Sequence, residues 1–166
     1  MAITKIQSES LNLADTYDFT GTVTGAGGVM TPAFHAETSG SQTIPNNSFT
    51  KIQFVTENYD DGGVYDNSSN YRFTPVETGK YIIYGMAGIE SITSDRYVTI
   101  RVYKNGTPFI TPVASHSARA GDQRFSFIFG INNTSSTDYY EIFIYHDHGS
   151  DRNSNGGAFG AYKIIE

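Results

Sequence analysis

From Phe34 onward the apolar residues of this chain come in short alternating runs, and each run ends in a turn. Pro45-Asn46-Asn47, Asp60-Asp61-Gly62-Gly63, Asn105-Gly106 and Asn132-Asn133 supply the breaks. Period-two alternation punctuated this way predicts an all-β sandwich of about ten antiparallel strands. No stretch has a helical period, and no internal repeat is present. The chain is organised around Tyr71–Glu90. Here two apolar extended segments, Tyr71–Thr74 and Lys80–Ile89, flank Pro75-Val76-Glu77-Thr78-Gly79. Pro75 fixes φ and Gly79 accepts a positive one, so the connection is a tight corner.

Two of the expected strands are apolar on both faces. In the first, Tyr81, Ile83 and Gly85 alternate with Ile82, Tyr84 and Met86. In the second, Tyr140, Ile142 and Ile144 alternate with Tyr139, Glu141, Phe143 and Tyr145. Half-exposed strands look different: Val98, Ile100 and Val102 oppose Thr99, Arg101 and Tyr103, while Phe125, Phe127, Phe129 and Ile131 oppose Arg124, Ser126 and Ile128. A strand apolar on both sides asks for cover on both, and closed cyclic symmetry is the ordinary means. Tyr81 and Ile83, with Tyr139, Phe143 and Tyr145, are therefore the expected subunit interface. Tyr140, Ile142 and Ile144 are the alternative face of the second strand.

Composition narrows the classes. The 166 residues suffice for one domain with a core, plus an extension. With no cysteine there is neither a disulfide framework nor thiol chemistry. A net charge of −6 with only 11 Lys+Arg disfavours a nucleic-acid surface. No apolar run approaches the ~20 residues of a membrane span, and the first residues lack the apolar core of a signal peptide. The Asn-x-Ser/Thr triplets at Asn67, Asn105 and Asn133 read as turns before they read as glycan sites.

Residues 1–31 differ from the rest. Ile3, Ile6, Leu11, Leu13, Tyr17, Phe19 and Val23 are spread thinly among polar residues, and Gly25-Ala26-Gly27-Gly28 closes the segment as a hinge. Such a stretch cannot offset its own ordering entropy. It reads as an arm that attaches to a partner, with Ile3, Ile6, Leu11, Leu13, Tyr17 and Phe19 as anchors. The expected division is an arm at 1–31 and a folded domain at 32–166.

Catalytic constellations do not form. Ser115-His116-Ser117 lacks a nucleophile elbow, and neighbours on a strand point to opposite faces. Gly25–Gly28 precedes neither Gly-Lys-Ser/Thr nor a helix, so it is no phosphate loop. The acids lie in turns rather than across a cleft. His146 and His148 share one side of a strand, the arrangement of half a metal site, but a solvated strand end is the commoner situation. Asp60, Asp61 and Asp66 lack the spacing of a calcium loop and read as an acidic turn. No enzyme, metal or cofactor is expected.

The ordered motifs resemble the C1q/TNF-like jelly roll. Phe73-Thr74 followed by Gly79-Lys80-Tyr81 is similar to that family's Phe-Thr…Gly-x-Tyr signature. Pro32–Ala36 looks like its first strand. Phe49–Phe54 and then Tyr65-Asp66 look like its second and third. Lys104-Asn105-Gly106, Asp138–Ile142 and Ala158–Tyr162 look like its hairpin, its Asp-x-Val strand and its closing strand. Thr137 and Tyr162 depart from the family's usual glycine and phenylalanine. The resemblance covers residues 32–165 and implies a homotrimer. The run from Leu11 to Gly28 also resembles segments that precede C-terminal domains of bacteriophage virion proteins. Together these imply a phage virion structural protein: a trimeric capsid decoration or cement protein, held on the major capsid protein by its arms. The alternative is the receptor-binding tip of a tail or head fibre, reading a host surface receptor with Asn58–Asn70 and His146–Gly157. No stalk-forming repeat accompanies that reading. Neither nucleic acid nor membrane is an expected partner.

Overall fold

The computed structural model describes residues 29–164, and every regular element within them is a strand. In chain order these are β1 (Ala33–Glu37), β2 (Thr43–Ile44), β3 (Thr50–Lys51), β4 (Thr56–Asp61), β5 (Tyr65–Asp66), β6 (Arg72–Phe73), β7 (Gly79–Ile92), β8 (Tyr97–Lys104), β9 (Thr107–His116), β10 (Gly121–Asn133), β11 (Tyr140–His146) and β12 (Arg152–Lys163). They form two six-stranded antiparallel sheets. The first runs β10-β7-β12-β1-β4, with β2 added to β12. The second runs β5-β6-β11-β8-β9, with β3 added to β11. This is the sandwich the alternation predicts, with twelve strands where about ten were expected.

The core lies between the sheets. Phe34 of β1 is its centre, stacked on Tyr65 at 4.6 Å and Phe73 at 5.0 Å and edge-on to Phe159 at 5.0 Å. The tyrosines buried with it find acceptors for their hydroxyls, as buried phenols must. Tyr65 donates to the Phe54 carbonyl at 3.1 Å, Tyr81 to the Glu77 carbonyl at 3.0 Å and Tyr140 to Asn133 Oδ1 at 3.2 Å. The Glu77 carbonyl also accepts from the Asn133 amide, so the Pro75–Gly79 corner is tied to β7 and to the end of β10. Gly79 takes the positive φ read for it, 139°.

The strand expected at Phe49–Phe54 is shorter. Only Thr50–Lys51 ladders with β11, and the longer element is β4, Thr56–Asp61, polar but for Tyr59. All but one of its residues are exposed, so it has no alternation to read. Its order comes from β1, which it pairs along its length. The arm residues Ile3, Ile6, Leu11, Leu13, Tyr17 and Phe19 lie outside the described residues.

Candidate functional site

Each sheet turns one face to the core and one outward, so the protomer offers two broad surfaces. The register of the first sheet lays its outer side chains out in rows. Gly130, Ile82, Tyr162 and Ala33 form one row; Ile128, Tyr84, Gly160 and His35 the next; Ser126, Met86 and Ala158 the third. Tyr59 of β4 extends the middle row beyond His35.

The middle row is built around an absent side chain. The Tyr84 ring lies across Gly160, in the space a Cβ there would occupy. Lying flat, it brings its hydroxyl 3.0 Å from His35 Nδ1 and 3.4 Å from the Tyr59 hydroxyl. His35 sits between the two phenol rings, at 5.8 Å and 6.1 Å, with its other nitrogen 3.3 Å from Glu37 Oε1. Burial, then the hydrogen bond that its hydroxyl donates to Tyr59, raise the Tyr84 phenol well above its ordinary value. With Tyr84 committed to this side, the β10 side of the row is left to Ile128, which is 70% exposed. Between them Tyr84, Met86, Ser126, Ile128 and Ala158 line an open apolar concavity of about 460 Å³.

The outer face of the second sheet is aromatic in a different way. Tyr103 and Phe143 stack at 4.0 Å, Phe49 packs on Tyr145 at 5.0 Å, and Tyr97 meets Tyr145 at 6.2 Å. Cations lie over the rings, with Arg101 4.1 Å above Phe49 and Arg72 4.4 Å above Tyr139. Lys51 pairs with Glu141 at 2.9 Å, and Lys104 with Asp138 at 2.7 Å. These rings thus cover one another, and the strip is only half exposed.

The residues read as a subunit interface fall into two groups. Tyr139, Phe143 and Tyr145 do point outward, on the second sheet. Tyr81 and Ile83 do not, because the phase of β7 turns both into the protomer's own core, where neither has any exposed surface. The same strand presents Ile82, Tyr84 and Met86 instead. Ile128 was visible in the sequence only as the outward partner of a phenylalanine-rich face. Its signal was one large aliphatic residue between Ser126 and Gly130, small neighbours that leave it standing clear.

The polar clusters are occupied by the fold itself. His146 is fully buried; its Nε2 lies 3.0 Å from the Ile44 carbonyl, and its Nδ1 accepts the His148 N–H at 3.2 Å. One neutral tautomer satisfies both contacts and leaves no lone pair for an ion. His148 accepts the Thr93 N–H at Nδ1, and the Arg152 guanidinium lies against Nε2. Burial, then that guanidinium, hold its pKa below the usual imidazole value. The Asp60 carboxylate takes the N–H groups of Val64 and Tyr65. Asp66 takes those of Ser68, Ser69 and Asn70, the Ser68 hydroxyl and the Asn70 amide. These acids shape turns. Ser115 donates to the His116 carbonyl and Ser117 to the Arg119 carbonyl, while the His116 ring packs on Tyr97. No serine–histidine dyad forms among the described residues.

No protein-family model and no curated protein matches the chain. Solved structures do. The globular domain of the zebrafish complement 1qA protein is similar over 81% of this chain and 98% of that one, at 15% identity and a TM-score of 0.57. The PRD1 vertex protein P5 matches over 83% of this chain and all of that one (100%), at 20% identity and a TM-score of 0.57. The Eiger TNF from S. frugiperda matches over 81% and 91%, at 14% identity and a TM-score of 0.52. At these identities the likeness is one of fold, and the fold is the C1q/TNF-like jelly roll.

Proposed function

We propose that the chain is a structural protein of a phage virion, a homotrimeric jelly roll displayed on the capsid surface and attached by the arm at residues 1–31. The observation that carries the reading is the likeness to the PRD1 vertex protein P5, which extends over the whole of that chain. The resemblance of Leu11–Gly28 to segments of phage virion proteins agrees with it. The decoration or cement role, the major capsid protein as partner and the virion location all rest on this reading.

The trimer has its own support. The outer face of the first sheet leaves Ile128, Tyr84 and Met86 around an apolar concavity that no other described residue covers. Apolar surface of that kind is what an obligate interface hides, and the resemblance implies threefold closure. A trimer also makes the arm effective. One weakly apolar arm binds feebly, but three held together act at high effective concentration.

The test removes residues 1–28. The truncated protein is expected to remain a folded trimer by light scattering and to lose its attachment to capsids. Decoration at full occupancy by the truncated trimer would overturn the arm's role. Counting copies per particle separates decoration, with copies in the hundreds, from a fibre tip present in a handful. The fibre-tip reading is favoured by one feature, the aromatic outer face of the second sheet.

A further inference from the structure

We propose that the outer face of the second sheet binds an acidic saccharide, with Arg101 holding the sugar's carboxylate. Arg101 and Arg72 are the cations of this surface with no carboxylate partner among the described residues, and Arg101 is the one set among the stacked rings, Arg72 lying over Tyr139 instead. Lys51 and Lys104 are each paired with a carboxylate, whereas Arg101 has no hydrogen bond and no ion pair among the described residues. Its one close partner is the Phe49 ring. A ring face attracts the guanidinium's charge but offers no acceptor to its N–H groups. Nε is shut off from solvent with no partner, while the two Nη groups are neither partnered nor buried. A planar guanidinium with both Nη groups free matches the two oxygens of a carboxylate, and arginine makes that two-point contact where lysine supplies only a point charge.

The surroundings select the rest of the ligand. Phe49, Tyr103, Phe143 and Tyr145 gather beside Arg101 as half-exposed rings, held rigid by mutual stacking at 4.0 Å and 5.0 Å. Such a strip packs against the C–H surface of a pyranose at little entropic cost. The Tyr103 hydroxyl has no partner among the described residues and is available to a sugar hydroxyl. A nucleic acid would need a run of open cations along its backbone, and this face has Arg101 and Arg72, each stacked on a ring and set beside paired lysines, on a chain of net charge −6. One carboxylate on an otherwise neutral ring, as in a uronic or sialic acid residue, fits the one guanidinium that lies among the Phe49, Tyr103, Phe143 and Tyr145 rings. The face lies across the sandwich from Tyr84, Met86 and Ile128, so the site is open whether or not the chain trimerises through them.

The experiment is calorimetric titration of the full chain with a galacturonate tetramer, a hyaluronan hexamer and a sialic acid trimer. The fully methyl-esterified galacturonate tetramer serves as the uncharged control. At least one acidic probe is expected to bind with Kd below about 1 mM. Arg101→Gln and the methyl ester should each weaken binding by about tenfold or more, and Arg101→Lys by less. Lys163→Gln, on the other sheet, should leave it unchanged. Thermal melting shows whether each variant is folded, and the methyl ester tests the carboxylate on the unmutated protein. Absence of binding by all three acidic probes overturns the proposal. So does equal binding of the methyl ester, equal binding by folded Arg101→Gln, or equal weakening by Lys163→Gln.

Discussion

The acids of this chain show how far one residue's role can be read from its neighbours. Asp60 and Asp66 in a glycine- and asparagine-rich stretch announce a turn, and their carboxylates do cap the backbone there. That was legible because turn chemistry is local. The role of His146 was not, since its acceptor, the Ile44 carbonyl, comes from the other sheet. A pH dependence follows from two of the acids. Asp66 is held well below the ordinary carboxylate value, first by the Ser69 N–H, and Asp138 is lowered first by its hydrogen bond from Lys104. The unfolded chain therefore takes up these protons at higher pH than the folded one. The stabilisation is complete above the unfolded value of about 4 and is lost as pH falls through the lower folded values. Melting temperature should fall with acid below about pH 4. Asp66→Asn and Asp138→Asn should each melt lower at neutral pH and respond less to acid. Two variants as acid-sensitive as the parent would refute the assignment.

At the scale of the element, alternation reports that a strand has two faces but not which of them the protomer keeps. Tyr81–Met86 is the example. Both halves of the pattern are apolar, and only the pairing of β7 between β10 and β12 decides that Tyr81 and Ile83 go inward. β4 was illegible for the opposite reason, having almost nothing to bury. β12 makes the dependence between elements testable, because Gly160 exists where Tyr84 must lie. Gly160→Ala is expected to lift the ring off His35 and break the hydroxyl contact at 3.0 Å. It should cost about 1–3 kcal/mol in denaturant unfolding, the range for overpacking, and alter the near-ultraviolet circular dichroism of the tyrosines. An unchanged spectrum and midpoint would mean that Tyr84 does not need the space.

For the whole molecule, the order of the motifs along residues 32–165 sufficed to anticipate the jelly roll, although no single motif is specific. The surfaces were harder to anticipate, because ring-on-ring cover and cation stacking are tertiary events. The two outer faces now make opposite predictions. Ile128→Asp places a carboxylate in the apolar concavity of the first sheet, where an unpaired charge at a dry contact is costly. It should convert the proposed trimer to monomer in sedimentation at micromolar concentration. Phe143→Asp, on the second sheet, should leave the proposed trimer intact. The reverse result would move the interface to Tyr139, Phe143 and Tyr145.

The position of β12 has a consequence for how the protein is made. The last strand of the fold is a central one, inserted between β7 and β1, with Ala33 opposite Tyr162. A nascent chain still lacking residues 152–163 therefore holds β1 and β7 as strangers, each with a bare edge. The first sheet can close only after residues 152–163 have been made. Folding of this half of the domain therefore waits for its last strand. A chain stopped at Asp151 should accumulate in inclusion bodies or be degraded. Supplying residues 152–166 in trans as a peptide during refolding should recover soluble protein, since the missing piece is one strand with both neighbours waiting. Soluble, assembled protein from the stopped chain alone would show that the sheet closes without it.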